Sequence, residues 1–222
     1  MKPLSAQPNL VEQVHDAILG EITSGRLAPG ERIIQEQIAR ELGVSRQPVQ
    51  QALVLLRKQG MLVDAPGRGL VVASLDADQV EHMYAVRAVL EGLASRLAAE
   101  RSAERAAKQG PALIEAGRRA VQSGSVQKMA LADMRFHEFV YGLSGNPLVA
   151  PALASHLSAM QRVMGEVLVK DETPRDIWDQ HAAILEAIAA GSGKRAETLA
   201  RQHIEQAAEF MVARLRREAS AA

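Results

Sequence analysis

The 222-residue chain has no cysteine, which excludes disulfides, thiolate metal ligands and cysteine nucleophiles. No apolar run approaches the roughly 20 residues that span a bilayer, and the first residues do not read as a signal peptide. No membrane partner is expected, and the expected compartment is the cytoplasm. Net charge is also missing, because 26 Lys and Arg balance 26 Asp and Glu. Phosphate contacts need cations, so a zero balance argues at first against nucleic acid. The distribution overrides the sum. Between Leu42 and Val63 stand Arg46, Arg57 and Lys58 with no acidic residue, a local positive stretch bounded by Glu41 and Asp64.

The pattern that is present divides the chain near residue 74, into 1–74 and 75–222. An amphipathic helix is predicted over about 10–24, with Val11, Val14, Ile18 and Ile22 on one face, followed by a turn signal at Gly25 to Glu31. A second helix carries Ile34, Ile38 and Leu42 on one side and stops at Gly43. Ser45 is a suitable N-cap for a third helix, and Pro48 falls in its first turn, where no backbone N–H is needed. Val49, Ala52, Leu53 and Leu56 then face the core, leaving Arg46, Gln47, Gln50 and Arg57 outward. After Gly60, the apolar triplets 61–63 and 70–72 flank a Gly/Pro-rich tip holding Arg68, a hairpin signal. The sum is a winged helix-turn-helix, the shape that places a helix in the DNA major groove with a wing beside it.

From about Asp76 onward the texture is helical and Ala-rich, with no convincing strand. Segments are expected at roughly 77–101, 104–123, 125–143, 146–169, 173–190 and 193–218, and Pro111 either kinks the second or delays its start. The fold class is therefore mainly α: a winged helix-turn-helix followed by an all-α six-helix bundle. Met83, Val86, Leu90, Leu93 and Leu97 follow a 3-4 spacing that marks a packing seam and a possible dimer face.

Four polar residues interrupt apolar stripes in this half. Asp133 and His137 lie one turn apart on the face of Met129, Phe136 and Val140; His181 lies among Ile177, Ile184, Leu185 and Ile188; His203 follows Leu199 by four. A buried carboxylate is costly unless paired or bound to a metal, and an Asp with three imidazoles suits a divalent ion. Zinc is the leading candidate, with nickel, manganese and iron compatible. The competing reading is four hydrogen-bonded core residues, with Asp133 paired to Arg135 or a neighbouring His. His15, His82 and His156 lie beside their stripes and read as ordinary flank residues.

The order Ala28-Pro29-Gly30-Glu31, Leu42-Gly43-Val44-Ser45-Arg46, Pro48-Val49, Ala52-Leu53, Gly60-Met61-Leu62 and Gly67-Arg68-Gly69 resembles the DNA-binding half of GntR transcriptional regulators. Arg87 to Glu91, Asp133 to His137, Ser144-Gly145-Asn146-Pro147, and His181 and His203 with their flanks resemble the FCD ligand-binding domain of the FadR-type branch. The six-helix count is closer to the VanR-like subtype. The resemblance implies operator contacts from Ser45, Arg46, Gln47, Gln50 and Arg68, and a metal site of Asp133, His137, His181 and His203. One departure stands out: where the family commonly has Arg-Glu after Pro-Val, this chain has Gln50-Gln51. A glutamine pairs with adenine N6 and N7 and carries no charge for phosphate, so an unusual operator and a weak salt dependence are expected.

The expected function is a homodimeric DNA-binding regulator, acting as a repressor on a short inverted repeat and controlled by a small carboxylic acid at the metal-bearing bundle. Arg87 is assigned to the acid's free carboxylate, against a surface i, i+4 ion pair with Glu91 worth a few tenths of a kcal/mol. One competing class is a metal-dependent hydrolase or oxygenase. It is opposed by the lack of a further inward Glu, Asp or Lys at a general-base spacing, so no enzyme is expected. The other is an architectural DNA-binding protein with a purely structural metal.

Overall fold

The computed structural model describes residues 10–154 and 175–221. The chain separates into two compact units, Met1–Ser74 and Leu75–Ala222. The expected segment 146–169, the start of 173–190 and His156 fall partly or wholly outside the described residues. None of the helices described is long and apolar enough to cross a membrane.

The first unit begins with α1 (Leu10–Thr23), which buries Val14, Ile18 and Ile22 along one face. The turn after it ends at Gly30, in the left-handed region at φ 80°, a backbone conformation that a side chain would strain. That turn lets Gly30 donate its N–H to the Val72 carbonyl at 2.9 Å. The next two residues form β1 (Arg32–Ile33), which pairs antiparallel with β3 (Leu70–Val72). β3 also pairs with β2 (Leu62–Asp64), so the sheet order is β1-β3-β2. The hairpin matches the sequence expectation; β1 does not appear there, because two residues hold no alternation to detect.

Between β1 and the hairpin lie α2 (Gln35–Glu41) and α3 (Arg46–Lys58). The expected inward stripe of α2 is corrected. Ile34 is 52% exposed and Leu42 40%, whereas Ala39 is buried at 6%. Ile34 is the extended N-cap residue and Leu42 the C-cap, so neither shares the helical face on which their spacing would place them. Gly43 turns the chain at φ 65°. Ser45 does occupy the N-cap position of α3, but its side chain accepts no capping hydrogen bond. Inside α3, Val49, Ala52, Leu53 and Leu56 are buried as expected, together with Pro48.

The second unit opens with α4 (Ala77–Gln122), capped by the Asp76 carboxylate, which accepts from Asp78 N at 3.0 Å. Its one non-helical residue is Ser102, at φ −143°, in the gap expected between the segments 77–101 and 104–123, whereas Pro111 sits inside the second half of the helix with no break of its own. The break is tied to α5 (Val126–Ser144): Ser102 Oγ donates to the Leu143 carbonyl at 2.9 Å, and Arg101 Nη1 to the Ser144 carbonyl at 2.9 Å. The last carbonyls of a helix have no partner within it, so the kink supplies donors where α5 needs them. Residues 149–154 are helical (α6), followed by α7 (Arg175–Ala189) and α8 (Gly193–Ala221). With α4 split at Ser102, these make six helical segments among the described residues.

Small residues let these helices close up. Gly117 faces the Trp178 ring and Gly110 the Leu185 side chain, and a Cβ at either position would overlap its neighbour. In an open helix Gly→Ala gains about 1 kcal/mol. Here overpacking reverses the sign, so Gly117→Ala is expected to destabilise by about 1–3 kcal/mol, read as a lower urea midpoint with an unchanged m-value.

Candidate functional site

Asp133, His137, His181 and His203 come from α5, α7 and α8 and are 6%, 3%, 0% and 6% exposed, respectively. The helix period sets this arrangement. Asp133, His137 and Tyr141 repeat every fourth residue on α5 and so project from one face. His181 is held from the outside, stacked on Phe136 at 4.3 Å between ring centres and edge-on to Trp178 at 4.8 Å. Its Nε2 lies 3.1 Å from His203 Nε2 and 3.6 Å from Asp133 Oδ1, while His137 Nε2 lies 3.7 Å from Asp133 Oδ2. One ring nitrogen from each histidine lies within 4.8 Å of the other two. Arg135, the alternative partner for Asp133, is exposed.

The fourth wall is α4, and here the sequence reading is corrected. Arg87 and Glu91 are not a surface pair: they are 1% and 2% exposed, and Arg87 Nη2 donates to Glu91 Oε1 at 3.1 Å. Glu91 is also the acceptor for Tyr141 OH at 2.5 Å, on Oε1, and for His137 Nδ1 at 3.0 Å, on Oε2. The inner face of α4 therefore runs through Val80, Tyr84, Arg87, Glu91 and Ala98, whereas Val86 on the expected seam is 50% exposed. A further inward carboxylate does exist, contrary to expectation. It is a poor general base, because burial is outweighed by His137, Arg87 and the Tyr141 hydroxyl, which hold its carboxyl down at about 2.

The electrostatics sort the imidazoles. Burial, helped by the neighbouring His203 and His137, pushes His181 well below the usual imidazole value. Burial and His137 lower His203 to about 3. Burial also disfavours a charged His137, but Glu91 and Asp133 outweigh it and raise its proton affinity. Burial raises Asp133, against the pull of His137 and Arg87.

The tautomers follow from the partners. Glu91 is ionised and can only accept, so His137 donates from Nδ1. The Gln180 carbonyl can only accept, so His203 also donates from Nδ1, at 2.7 Å. In their neutral forms both rings therefore turn an Nε2 lone pair toward His181 and Asp133. Metal-ligating histidines show this arrangement: the second ring nitrogen is tied to a carboxylate or carbonyl, and the first is left free to ligate. His181 Nδ1 and Arg87 Nε are buried with no hydrogen-bond partner among the described residues. The donor set of three imidazoles and a carboxylate thus fits a divalent ion.

In the first unit Ser45, Arg46, Gln47, Gln50 and Arg68 are all exposed, the first four at or near the start of α3 and Arg68 in the tip between β2 and β3. The acid-free stretch of the sequence is not acid-free in space. Glu36 on α2 pairs with Arg46 at 2.9 Å, and Asp64 with Arg57 at 2.7 Å, and both arginines stay exposed, as expected. Gln35 also donates from Nε2 to the Arg46 carbonyl at 2.8 Å, and the Arg32 guanidinium donates to the Arg68 carbonyl. These supports were not visible in the sequence, because each joins residues from different elements. His15 is another such case, lying between Asp16 and Gln59.

Residues 82–206 match the model of the FCD domain, and residues 10–72 that of bacterial regulatory proteins, gntR family. Among curated proteins, the chain is 29% identical to a probable D-xylose utilization operon transcriptional repressor of Paenarthrobacter nicotinovorans, over 88% of this chain and 85% of that one. It is 23% identical to the HTH-type transcriptional repressor RspR of Escherichia coli, over 94% and 91% of the two chains. Among solved structures, E. coli McbR/YncC shares the fold with a TM-score of 0.80 at 22% identity, covering 91% of this chain and 96% of that one.

Proposed function

The chain belongs to the GntR family of bacterial regulatory proteins, with an FCD domain as its second half, and from that premise we propose that a small organic acid and a divalent ion at the buried centre control its hold on operator DNA. It is a transcriptional regulator, not an enzyme. The observation that carries the reading is the convergence of Asp133, His137, His181 and His203, two of the imidazoles being oriented from behind by Glu91 and Gln180.

Asp133 and the three histidines would hold the ion, whose chemistry is to offer coordination positions to oxygen atoms of the acid. Arg87 is the residue for the free carboxylate. Glu91 occupies one edge of its guanidinium, and the buried Nε is a donor with no hydrogen-bond partner among the described residues. The acid can shift the regulator only by the difference between its affinities for the two conformations. The half-exposed Val86 and Val89 on the outer face of α4, at 50% and 53%, are the natural contact for a second copy. A twofold dimer would read a short inverted repeat through α3 and the β2–β3 tip, by way of Ser45, Arg46, Gln47, Gln50 and Arg68.

Selecting bound sequences from a random DNA pool with metal-loaded and chelator-treated protein, with and without a panel of sugar acids and dicarboxylates, tests this directly. An inverted-repeat consensus whose recovery changes with one acid and only in the metal-loaded protein is expected. Recovery that no acid alters, with chelation merely lowering the melting temperature, would point to a structural metal and overturn the sensing role.

Position 50 has its own test. Gln50→Arg adds one cation beside the groove, so the slope of log affinity against log salt is expected to steepen by about 0.9, and the preferred half-site to change. If slope and consensus are both unchanged, Gln50 does not face DNA.

A further inference from the structure

The three imidazoles are unequally supported from behind. His137 Nδ1 is backed by the fully buried Glu91 carboxylate, His181 Nδ1 by nothing among the described residues, and His203 Nδ1 by the neutral amide of Gln180. Gln180 is half-buried on α7, and its amide nitrogen donates to Gln206 Oε1 on α8 at 2.9 Å. An amide has one accepting end and one donating end. With the donating end turned to Gln206, the accepting end is left for His203.

We infer that Gln180 is a positioning residue of the buried centre: it fixes His203 with its lone pair on Nε2, and Gln206 fixes the orientation of the Gln180 amide, so that this pair sets how tightly the centre holds a divalent ion. The inference rests on the metal-centre reading. A neutral amide polarises an imidazole N–H less than a carboxylate does, so His203 is the weaker donor of the two oriented rings. Position 180 is where that strength is adjustable, since Gln180 touches the ring from the rim of the bundle, unlike Glu91 in its core. Loss of such an outer partner costs about 10–100-fold in metal affinity.

The test uses the full chain, stripped by chelation and titrated with zinc against a chromophoric competitor. Cobalt absorption and the nitrogen NMR shifts of the His203 ring are recorded alongside. Gln180→Leu is expected to weaken zinc binding by about 10–100-fold and to release the Nδ1–H form of His203, with the metal-free melting temperature preserved. Gln180→Glu, which keeps the acceptor and adds charge, is expected to tighten binding, and Gln206→Ala to weaken it less than Gln180→Leu. Wild-type protein that binds no zinc overturns the metal centre, and this inference with it. Wild-type binding with the Leu and Glu variants both unchanged, or both equally weakened, overturns the role of Gln180 alone.

Discussion

Glu91→Ala is expected to destabilise the second unit by about 3–5 kcal/mol, because it strands the Arg87 guanidinium, 1% exposed, without its counter-charge. That is a large share of the roughly 5–15 kcal/mol by which a domain is stable. The substitution also removes the acceptor of the Tyr141 hydroxyl and of His137 Nδ1. Urea unfolding measures the loss. The pair Arg87→Met with Glu91→Leu removes both charges at similar volume, and is expected to recover most of the stability without restoring the orientation of His137. If Glu91→Ala costs under about 1 kcal/mol, the pair behaves as a solvated surface pair and its burial is wrong.

The pH dependence follows with a definite sign. The Glu91 carboxyl is held at about 2 in the folded chain, below the ordinary 4.5, so its contribution is fully present above pH 4.5 and is lost as pH falls toward 2. The double variant is expected to lose less stability than the wild type across that acid window.

The second large effect concerns the ion. At a hundredfold excess over its dissociation constant, a ligand bound only to the native state stabilises by about 2.7 kcal/mol, or roughly 5–10 °C in melting temperature for a domain of this size. Zinc is expected to raise the melting temperature of the wild-type protein by that amount, and a chelator to return it. His181→Ala, which removes the fully buried imidazole between His203 and Asp133, is expected to abolish the shift. An equal shift in the variant would mean that the metal binds elsewhere.

The parts legible in the sequence are those with a period. Val49, Ala52, Leu53 and Leu56 are spaced as one helical face and are buried as one. Asp133, His137, His181 and His203 each interrupt an apolar stripe, and the structure places the three imidazoles together with the Asp133 carboxylate beside His137 and His181. The burial of Glu91 is not legible in the sequence, because Arg followed four residues later by Glu has the same spacing on an exposed helix as on a buried one. The difference lies in what surrounds it: the small buried residues Ala88, Gly92 and Ser95 give α4 an inner face that other helices can approach closely. The break in α4 at Ser102 falls in the gap expected between 77–101 and 104–123, while its cause, the reach of Ser102 and Arg101 to the end of α5, lies between elements. The dividing point near residue 74 was visible as a change of texture, whereas β1, Gln180 and the Glu36–Arg46 pair depend on pairings between elements, which local spacing does not encode.

Trp178 has a practical consequence. It is the chain's one tryptophan, and its ring centre lies 4.8 Å from that of His181. Its emission would therefore be a built-in optical reporter of any ion taken up by the histidines. Zinc has a filled d shell and should alter the intensity only modestly, whereas an open-shell ion such as nickel or manganese in the same place should quench it strongly. A fluorimeter can thus follow the filling of the centre without any added label.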